Sequence, residues 1–312
     1  MRRADLKATA AACLLWGLLA AGPSPAATAT TDSSNPPLTP AERALLLQQP
    51  RRVAAAVDRM APRVPGKANV FFVGFAGYGE QRVFRKEEEL ARRVFGERFG
   101  SLDRSVELVN DVRDRTTYPL ATFENLRYAL RLICRRMDRS RDVLVLVLTS
   151  HGSSEDGIAI TNSDLLDDAL SPRDVRQVLA EAGIRWRVIV ASACYAGIFI
   201  RPLRADRTLI MTAADSRHSS FGCADDRDLT YFGEALFKDS LPGACSLEDA
   251  FESARRIIRQ RETEEGDIHS NPQIYVGALM RAKLHALDHA AGAGSQTCPH
   301  SLAFQASRSA HP

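Results

Sequence analysis

Runs of apolar residues alternate along the chain with stretches whose apolar residues recur at helical spacing. Six apolar runs are predicted as strands: 69–75, 105–109, 143–148, 187–191, 208–212 and 273–276. Between them, helices are predicted at 84–95, 122–137 and 171–183, and from Ser246 onward. The run 143–148 is continuously apolar, which is typical of a strand covered on both faces of a sheet. Because strands alternate with helices, the pattern predicts an α/β fold with a mostly parallel sheet between helical layers.

Polar residues at the helix ends support these assignments. Thr122 and Ser246 precede helical patterns and are predicted N-caps, and Ser171 with Asp174 has the spacing of a capping box. Gly183 is predicted to end the helix that begins after Ser171. A further helix is predicted at 41–60, before the first strand.

The first 26 residues have the layout of a secretory signal peptide. Arg2, Arg3 and Lys7 give a positive end, residues 8–21 are apolar, and Ser24–Ala26 supplies small residues for cleavage. The apolar run is shorter than the ~20 residues that a membrane-spanning helix needs. We therefore expect a periplasmic or secreted protein with no stable membrane insertion, and an uncleaved N-terminal anchor is the alternative.

The remaining chain divides into three predicted parts. Residues 27–65 form a linker and an N-terminal helix, residues 66–285 the folded domain, and residues 286–312 a flexible tail. The 312 residues are 45% hydrophobic and 25% charged, a balance that excludes a disordered chain and a multi-span membrane protein. The formal charge is only +3, so no nucleic-acid partner is expected.

Export makes the cysteine count informative. Of the six cysteines, removal of Cys13 leaves five: Cys134, Cys194, Cys223, Cys245 and Cys298. An odd number in an oxidising compartment predicts a free, reactive thiol, and the other four could form two disulfides in three connectivities. No C-x-x-C is present, so neither a thioredoxin-type site nor a zinc ribbon is supported.

Two chemically active side chains follow consecutive strands of the predicted sheet. His151 and Gly152 come after the run 143–148, and Cys194 comes after 187–191. Parallel strands place their carboxyl ends at one edge, so the imidazole and the thiol should share a cleft. An imidazole can activate a thiol for attack on a carbonyl and then protonate the leaving amine. The backbone N–H groups of Gly152 and Cys194 are candidate oxyanion donors.

These residues resemble the caspase-like clan of cysteine peptidases, and within it the legumain, or asparaginyl endopeptidase, family. The segments that carry the resemblance, besides His151-Gly152 and Ser192-Ala-Cys194, are Phe75–Gly77, Met211–Cys223 and Thr230–Glu234. The resemblance covers residues 68–277 and implies a three-layer α/β/α caspase-like fold with a sheet of about six strands. It also implies a cysteine endopeptidase that acts on peptides or proteins and needs no cofactor.

Roles for further residues come from the same resemblance. It implies that Cys194 is the nucleophile and His151 the general acid/base, and it assigns the substrate pocket to Arg85, Glu234, Ser219, Ser220 and Ser192. Three positions depart from the family. Val83 aligns with the Asn that orients the catalytic His, Ser150 with the Asp before that His, and Ser192 with a pocket Glu.

The function expected from these features is exported cysteine endopeptidase activity, with cleavage after Asn. Cleavage after Arg or Lys is the competing specificity, with Glu234 as the counter-charge. A transamidase or peptide ligase would share the acyl-enzyme, and a catalytically weak binding module is the third hypothesis. The glycines of 74–79 do not match the dinucleotide-binding order, and His285 with His289 alone do not make a zinc site.

Overall fold

The computed structural model describes residues 37–224 and 226–290. The strands are β1 (Val70–Ala76), β2 (Ser105–Val109), β3 (Val143–Thr149), β4 (Gly152–Ser153), β5 (Gly157–Thr161), β6 (Asp167–Leu170), β7 (Trp186–Ser192), β8 (Thr208–Thr212) and β9 (Gln273–Val276). Six of them form one sheet in the order β2-β1-β3-β7-β8-β9. Only its edge strand β9 is antiparallel to its neighbour. All six predicted strands are therefore confirmed.

Helices cover both faces of this sheet. They are α1 (Pro40–Asp58), α2 (Arg82–Phe99), α3 (Phe123–Arg136), α4 (Pro172–Ala182), α5 (Ile200–Leu203), α6 (Tyr231–Gly233), α7 (Leu247–Glu265) and α8 (Ala278–Ala290). Helix α6 continues into a π-helix, Glu234–Ser240, and a short 3-10 turn, Leu241–Gly243.

Alternate residues of the central strand β3 divide the core into two layers. Leu144, Leu146 and Leu148 pack with α1, α3 and α4 on one face. Val145 and Val147 pack with α2, α7 and α8 on the other face. Both sets of side chains are removed from water, which explains why the run is continuously apolar. The predicted three-layer α/β/α architecture is confirmed.

The predicted helix ends are also confirmed. Thr122, Ser171 and Ser246 each accept a hydrogen bond from the backbone N–H three residues later, and Ser171 forms a reciprocal capping box with Asp174. Gly183 has a φ of 72°, in the left-handed region, and ends α4. A side chain at this backbone angle would be strained, so the glycine suits the position.

A small antiparallel sheet, β4-β5-β6, was not predicted from the sequence. It begins at Gly152, directly after His151, and its middle strand β5 pairs with both of the others. Its strands have only two to five residues, and β6 carries the exposed Asp167 and Asp168. Such short, partly charged strands give little apolar alternation from which they could be predicted. The small sheet adds a wall beside the carboxyl end of β3.

The structure describes only part of the segments predicted at the two ends of the chain. The signal peptide (1–26) and the first part of the linker lie outside the described residues, as do residues 291–312. Residues 286–290, which were assigned to the tail, instead complete α8. Asp288 there is 6% exposed and forms an ion pair with Arg98 at 2.7 Å. Within the described ranges, no helix is long and apolar enough to cross a membrane.

Candidate active site

The loops that carry His151 and Cys194 meet at the carboxyl edge of the sheet because of the register between β3 and β7. Thr149 is the Cα partner of Ser192, and the two candidate catalytic residues follow these partners at equal distance along the chain. The N–H of Ser150 continues the pairing by donating to the carbonyl of Ser192 at 3.2 Å. The predicted meeting of the imidazole-bearing and thiol-bearing loops is therefore observed.

Gly152 shows how closely the two loops approach. A Cβ added at this position would lie 2.5 Å from the carbonyl oxygen of Cys194 and 3.0 Å from the Cβ of Ala193. Any other residue would have to displace backbone atoms of the Cys194 loop. Glycine is thus required here by the close approach of the two loops.

The imidazole of His151 is held by an amide and two aromatic rings. Its Nε2 lies 2.6 Å from Oε1 of Gln81. The ring centroid lies 4.4 Å from that of Tyr78 and 5.0 Å from that of Phe84, both in edge-on geometry. Burial lowers the pKa of His151, and the carboxylate of Glu80 partly opposes this shift. The ring therefore favours its neutral form, which can accept a proton.

Gln81 is a site residue that the sequence comparison missed. The sequence alignment placed Val83 where the family has its orienting Asn, but Val83 is buried in an apolar cluster with Phe84. A side-chain amide from two residues earlier reaches the ring instead. The residue that precedes α2, rather than one within the helix, supplies this contact.

The half-buried thiol of Cys194 contacts the loop that follows β8. The backbone N–H of Ser220 donates to Sγ at 3.3 Å, and the carbonyl of Ser220 lies 3.4 Å from Sγ. Tyr195 next to it has a φ of 57°, and its N–H donates to the carbonyl of His218 at 2.9 Å. Among the described residues, no hydrogen bond joins Cys194 to His151, and catalytic hydrogen bonds are often formed only with substrate present.

Beneath the two loops lies a fully buried carboxyl group, Glu87 of α2. Its Oε1 accepts from Thr149 Oγ1 at 3.0 Å, and its Oε2 accepts from the N–H and hydroxyl of Thr230. Ser192 also donates to it, and burial raises its pKa against these hydrogen bonds. Glu87 thereby ties together the ends of β3 and β7 and the start of α6. A single buried Glu in a helix has no recognisable sequence signal, so this residue was also missed.

The other residues assigned to the substrate pocket fall into two groups. Ser219 and Ser220 lie beside the thiol: Ser220 contacts Sγ, and Ser219 Oγ donates to the hydroxyl of Tyr195 at 3.4 Å. Ser192 is buried, and its hydroxyl lies 3.4 Å from that of Thr230.

Arg85 and Glu234 are each held in a separate group of ion pairs. Arg85 pairs with Glu89 at 2.8 Å and with Asp111 at 3.0 Å. The carboxylate of Glu234 contacts three cations, at 2.9–3.0 Å: Arg227, Lys238 and Arg261. Burial alone would raise the pKa of Glu234, but Arg261 and Lys238 outweigh it and lower the pKa below its usual value. Within the described residues, no hydrogen bond or ion pair links Arg85 or Glu234 to Cys194.

A cavity of about 470 Å³ opens beside His151. Its wall comes from the small sheet and the loops around it: His151, Gly152, Ser153, Asp156, Gly157, Ala159, Asp167, Asp168 and Ala169. Cys194 does not line it. The cavity therefore extends from the imidazole side of the site.

The bonding of the cysteines agrees only in part with the prediction of one free thiol and two disulfides. Cys134, Cys194 and Cys223 are free, and Cys245 is in a disulfide. Two disulfides among the four remaining cysteines are thus excluded, since Cys134 and Cys223 belong to none. Cys134 is buried at 3% exposure beneath the sheet, where it packs as an apolar side chain. Within the part of the chain that the structure describes, no group of three or more His, Cys, Asp or Glu could hold a metal ion.

Part of the chain is similar to a known family, and its fold has been compared with solved structures. A model of the peptidase C13 family matches residues 135–282, a range that includes both His151 and Cys194. Among solved structures, the crystal structure of caspase-1 from Spodoptera frugiperda matches at 16% identity with a TM-score of 0.44. That match covers 71% of this chain and 92% of the caspase chain. No curated protein matches the sequence. The legumain-like resemblance is thus confirmed: over residues 135–282 the chain is similar to the peptidase C13 family of cysteine peptidases.

Proposed function

We propose that the protein is an exported cysteine endopeptidase in which Cys194 is the nucleophile and His151 the general acid/base. The observation that carries the proposal is the register of β3 and β7, which sets both residues at the same offset beyond the paired Thr149 and Ser192. The family match supports a cysteine peptidase more generally.

The Gln81 contact supports a choice between the two imidazole nitrogens. With the amide Oε1 as the acceptor, Nε2 carries the proton in the proposed mechanism and Nδ1 is the base. The lowered pKa keeps this nitrogen unprotonated near neutral pH. Nδ1 then takes the proton of the Cys194 thiol as the sulfur attacks the scissile carbonyl carbon.

Attack forms a C–S bond and moves the carbonyl π electrons onto oxygen. The N–H groups of Gly152 and Cys194 are the proposed donors to this oxyanion. When the oxyanion collapses, the C–N bond breaks and protonated His151 gives its proton to the leaving amine. Water, deprotonated by His151, then attacks the thioester, and the C–S bond breaks to regenerate the thiol.

For the residue before the cleaved bond we propose Asn, with Arg85, Glu234 and Ser192 as pocket residues on the resemblance alone. An Asn side chain needs one donor and one acceptor, which an Arg and a Glu can supply. The ion pairs of Glu234 argue against the alternative of cleavage after Arg or Lys. Its charge is already compensated by three cations, so it is a poor counter-ion for a further one.

The N-terminal pattern supports export with cleavage near Ala26. Mass spectrometry of the mature N-terminus, combined with fractionation of cells, tests this directly. A chain that retains Met1 in the membrane fraction would favour the anchored alternative.

The catalytic proposal is tested with the variants Cys194→Ala and His151→Ala on fluorogenic peptides that carry Asn before the reporter. Both should lose detectable cleavage while circular dichroism shows a retained fold. Cys134→Ala is the matched control, since it removes a buried thiol away from the site and should cleave normally. Full activity in Cys194→Ala would refute the mechanism. Mass analysis of products, with and without an added amine, separates hydrolysis from transpeptidation.

A further inference from the structure

A second cavity, of about 290 Å³, lies between α7 and the chain segment that leads into β9. Its walls carry several cationic side chains, and its lining is Arg255, Arg256, Arg259, Glu262, His269, Asn271, Pro272 and Gln273. We refer to this cavity as the basic groove. Neither the family match nor the proposed mechanism assigns it a role.

The cationic side chains of the basic groove are largely uncompensated. Arg256 and Arg259 are exposed, and neither forms an ion pair with any described residue. Arg255 pairs with Glu252 of the same helix, at the exposed surface. The groove therefore presents at least two guanidinium groups that lack a carboxylate partner in the described residues.

The one carboxylate in the lining is used internally. Glu262 is 1% exposed, and its Oε1 accepts from the N–H of Ser270 at 3.1 Å and from the hydroxyl of the same residue. Its Oε2 lies 3.3 Å from Nδ1 of His269. These bonds fix the wall of the groove to α7 and leave no acceptor of Glu262 facing outward to neutralise the arginines.

The basic groove lies at the catalytic edge of the sheet. Gln273 is the Cα partner of Thr212, the last residue of β8, and the loop after β8 is the one that contacts the thiol. Asn271 Nδ2 donates to Asp215 Oδ2 at 3.3 Å, and Asp215 in turn holds the imidazole of His218 at 2.8 Å. Because the carbonyl of His218 binds the N–H of Tyr195, the groove connects by contacts to the residue after Cys194.

We propose that the basic groove binds carboxylate side chains of an acidic segment in the protein substrate. The planar guanidinium group pairs with a carboxylate through two parallel hydrogen bonds, and it does so best where its charge is not already compensated. The volume suits one or two side chains rather than a large ligand. This inference rests on the proposed function, since the segment belongs to a chain whose cleaved bond lies at Cys194.

Binding is tested apart from catalysis, in the Cys194→Ala protein. The probes are a fluorescein-labelled peptide with three consecutive Glu residues and its Gln counterpart, followed by fluorescence anisotropy at low salt. The Glu peptide should bind about tenfold more tightly, and Arg256→Gln/Arg259→Gln should remove this preference. The matched control is Arg131→Gln/Arg135→Gln, which removes two exposed arginines from α3 on the opposite face of the sheet. This control protein should still prefer the Glu peptide. Equal binding of both peptides, or equal loss in the control, would overturn the proposal.

Cleavage assays then separate this inference from the proposed function. In the active protein, placing the Glu segment on the acyl side of an Asn peptide should raise kcat/KM about tenfold, through a lower KM. Cleavage with no preference for the Glu segment would overturn the groove assignment and leave the peptidase proposal intact. Binding of the Glu peptide that depends on Arg256 and Arg259, without any cleavage, would overturn the peptidase proposal and leave the groove's preference for carboxylates intact. Inorganic phosphate is included as a competitor, and displacement of the Glu peptide by micromolar phosphate would overturn the choice of carboxylates.

Discussion

Nε2 of His151 lies 2.6 Å from Oε1 of Gln81, and this contact holds the imidazole in its orientation. Edge-on packing against the rings of Tyr78 and Phe84 limits rotation of the same imidazole. An acid/base group loses efficiency when its ring can turn away from the reacting atoms. In the proposed mechanism, Gln81 therefore acts through His151, as a positioning residue.

Replacement of Gln81 by Ala should lower kcat by on the order of ten- to a hundredfold with little change in KM. The reason is that the imidazole loses the acceptor that keeps Nδ1 as the base. Gln81→Glu should restore most of the activity and also raise the pKa of His151, because a carboxylate stabilises the imidazolium. The acidic limb of the kcat/KM profile should then move to higher pH.

The control for this pair is Gln177→Ala, which changes an amide on the exposed face of α4 and should leave the profile unaltered. The positioning role would be contradicted if Gln81→Ala lowered kcat, Gln81→Glu did not restore it, and the acidic limb of the kcat/KM profile did not move. Such a result would point instead to a general loss of stability.

Reaction with iodoacetamide should distinguish the three thiols that are free among the described residues. Cys194 should label fastest in the native protein, since it is half-buried at the candidate site. Cys134 is 3% exposed, and burial together with the nearby Cys194 raises the pKa of Cys223, so both should react slowly. Peptide mapping after brief labelling checks this. Cys223→Ala should leave the fast phase unchanged, whereas a fast phase that survives in Cys194→Ala would contradict the assignment.

The sheet and the two strand-end residues could be predicted from sequence because their signals are local. Runs rich in apolar residues predicted the six strands, and strand order alone was enough to bring the loops of His151 and Cys194 to one edge of the sheet. Ser171 and Gly183 marked the ends of α4 by short-range chemistry that a single sequence displays.

Gln81 and Glu87 could not be predicted in the same way, because each acts across a long sequence separation. Glu87 reaches Thr149 and Thr230 through tertiary packing, and its position in α2 resembles that of any other glutamate there. The sequence comparison expected a carboxylate at position 192 and found Ser192. The structure places a buried carboxyl beside Ser192 from a different element.

Glu88 gives a test of stability against pH. It is fully buried, and burial together with the charge of Glu107 raises its pKa well above the usual value. Because the unfolded chain ionises this group at lower pH than the folded protein does, the free energy of unfolding should fall as pH rises above the unfolded-state pKa.

Glu88→Gln removes this ionisation and keeps nearly the same side-chain size and shape. The variant should be more stable than the parent near pH 8, by on the order of 1–3 kcal/mol, and should differ less near pH 5. Urea unfolding at both pH values measures the difference. Glu97→Gln on the exposed face of α2 is the control and should change stability little. A Glu88→Gln protein that is less stable at both pH values would contradict the raised pKa.

The last prediction concerns the residue before the cleaved bond, for which a panel of peptides that vary only at this position should show Asn as the preferred residue. Glu234 is compensated by Arg227, Lys238 and Arg261, so a cationic substrate side chain would gain little from it. Glu234→Gln should weaken cleavage after Asn only modestly, because a Gln oxygen still accepts a hydrogen bond from the substrate amide. The same substitution would nearly abolish cleavage after Arg if Glu234 were the counter-charge for a basic side chain.

Glu264→Gln, which changes an exposed acid near the end of α7, serves as the control and should leave the relative cleavage of the peptides unchanged. A preference for Arg over Asn of tenfold, about 1.4 kcal/mol of transition-state stabilisation, would show that the pocket selects charge rather than an amide.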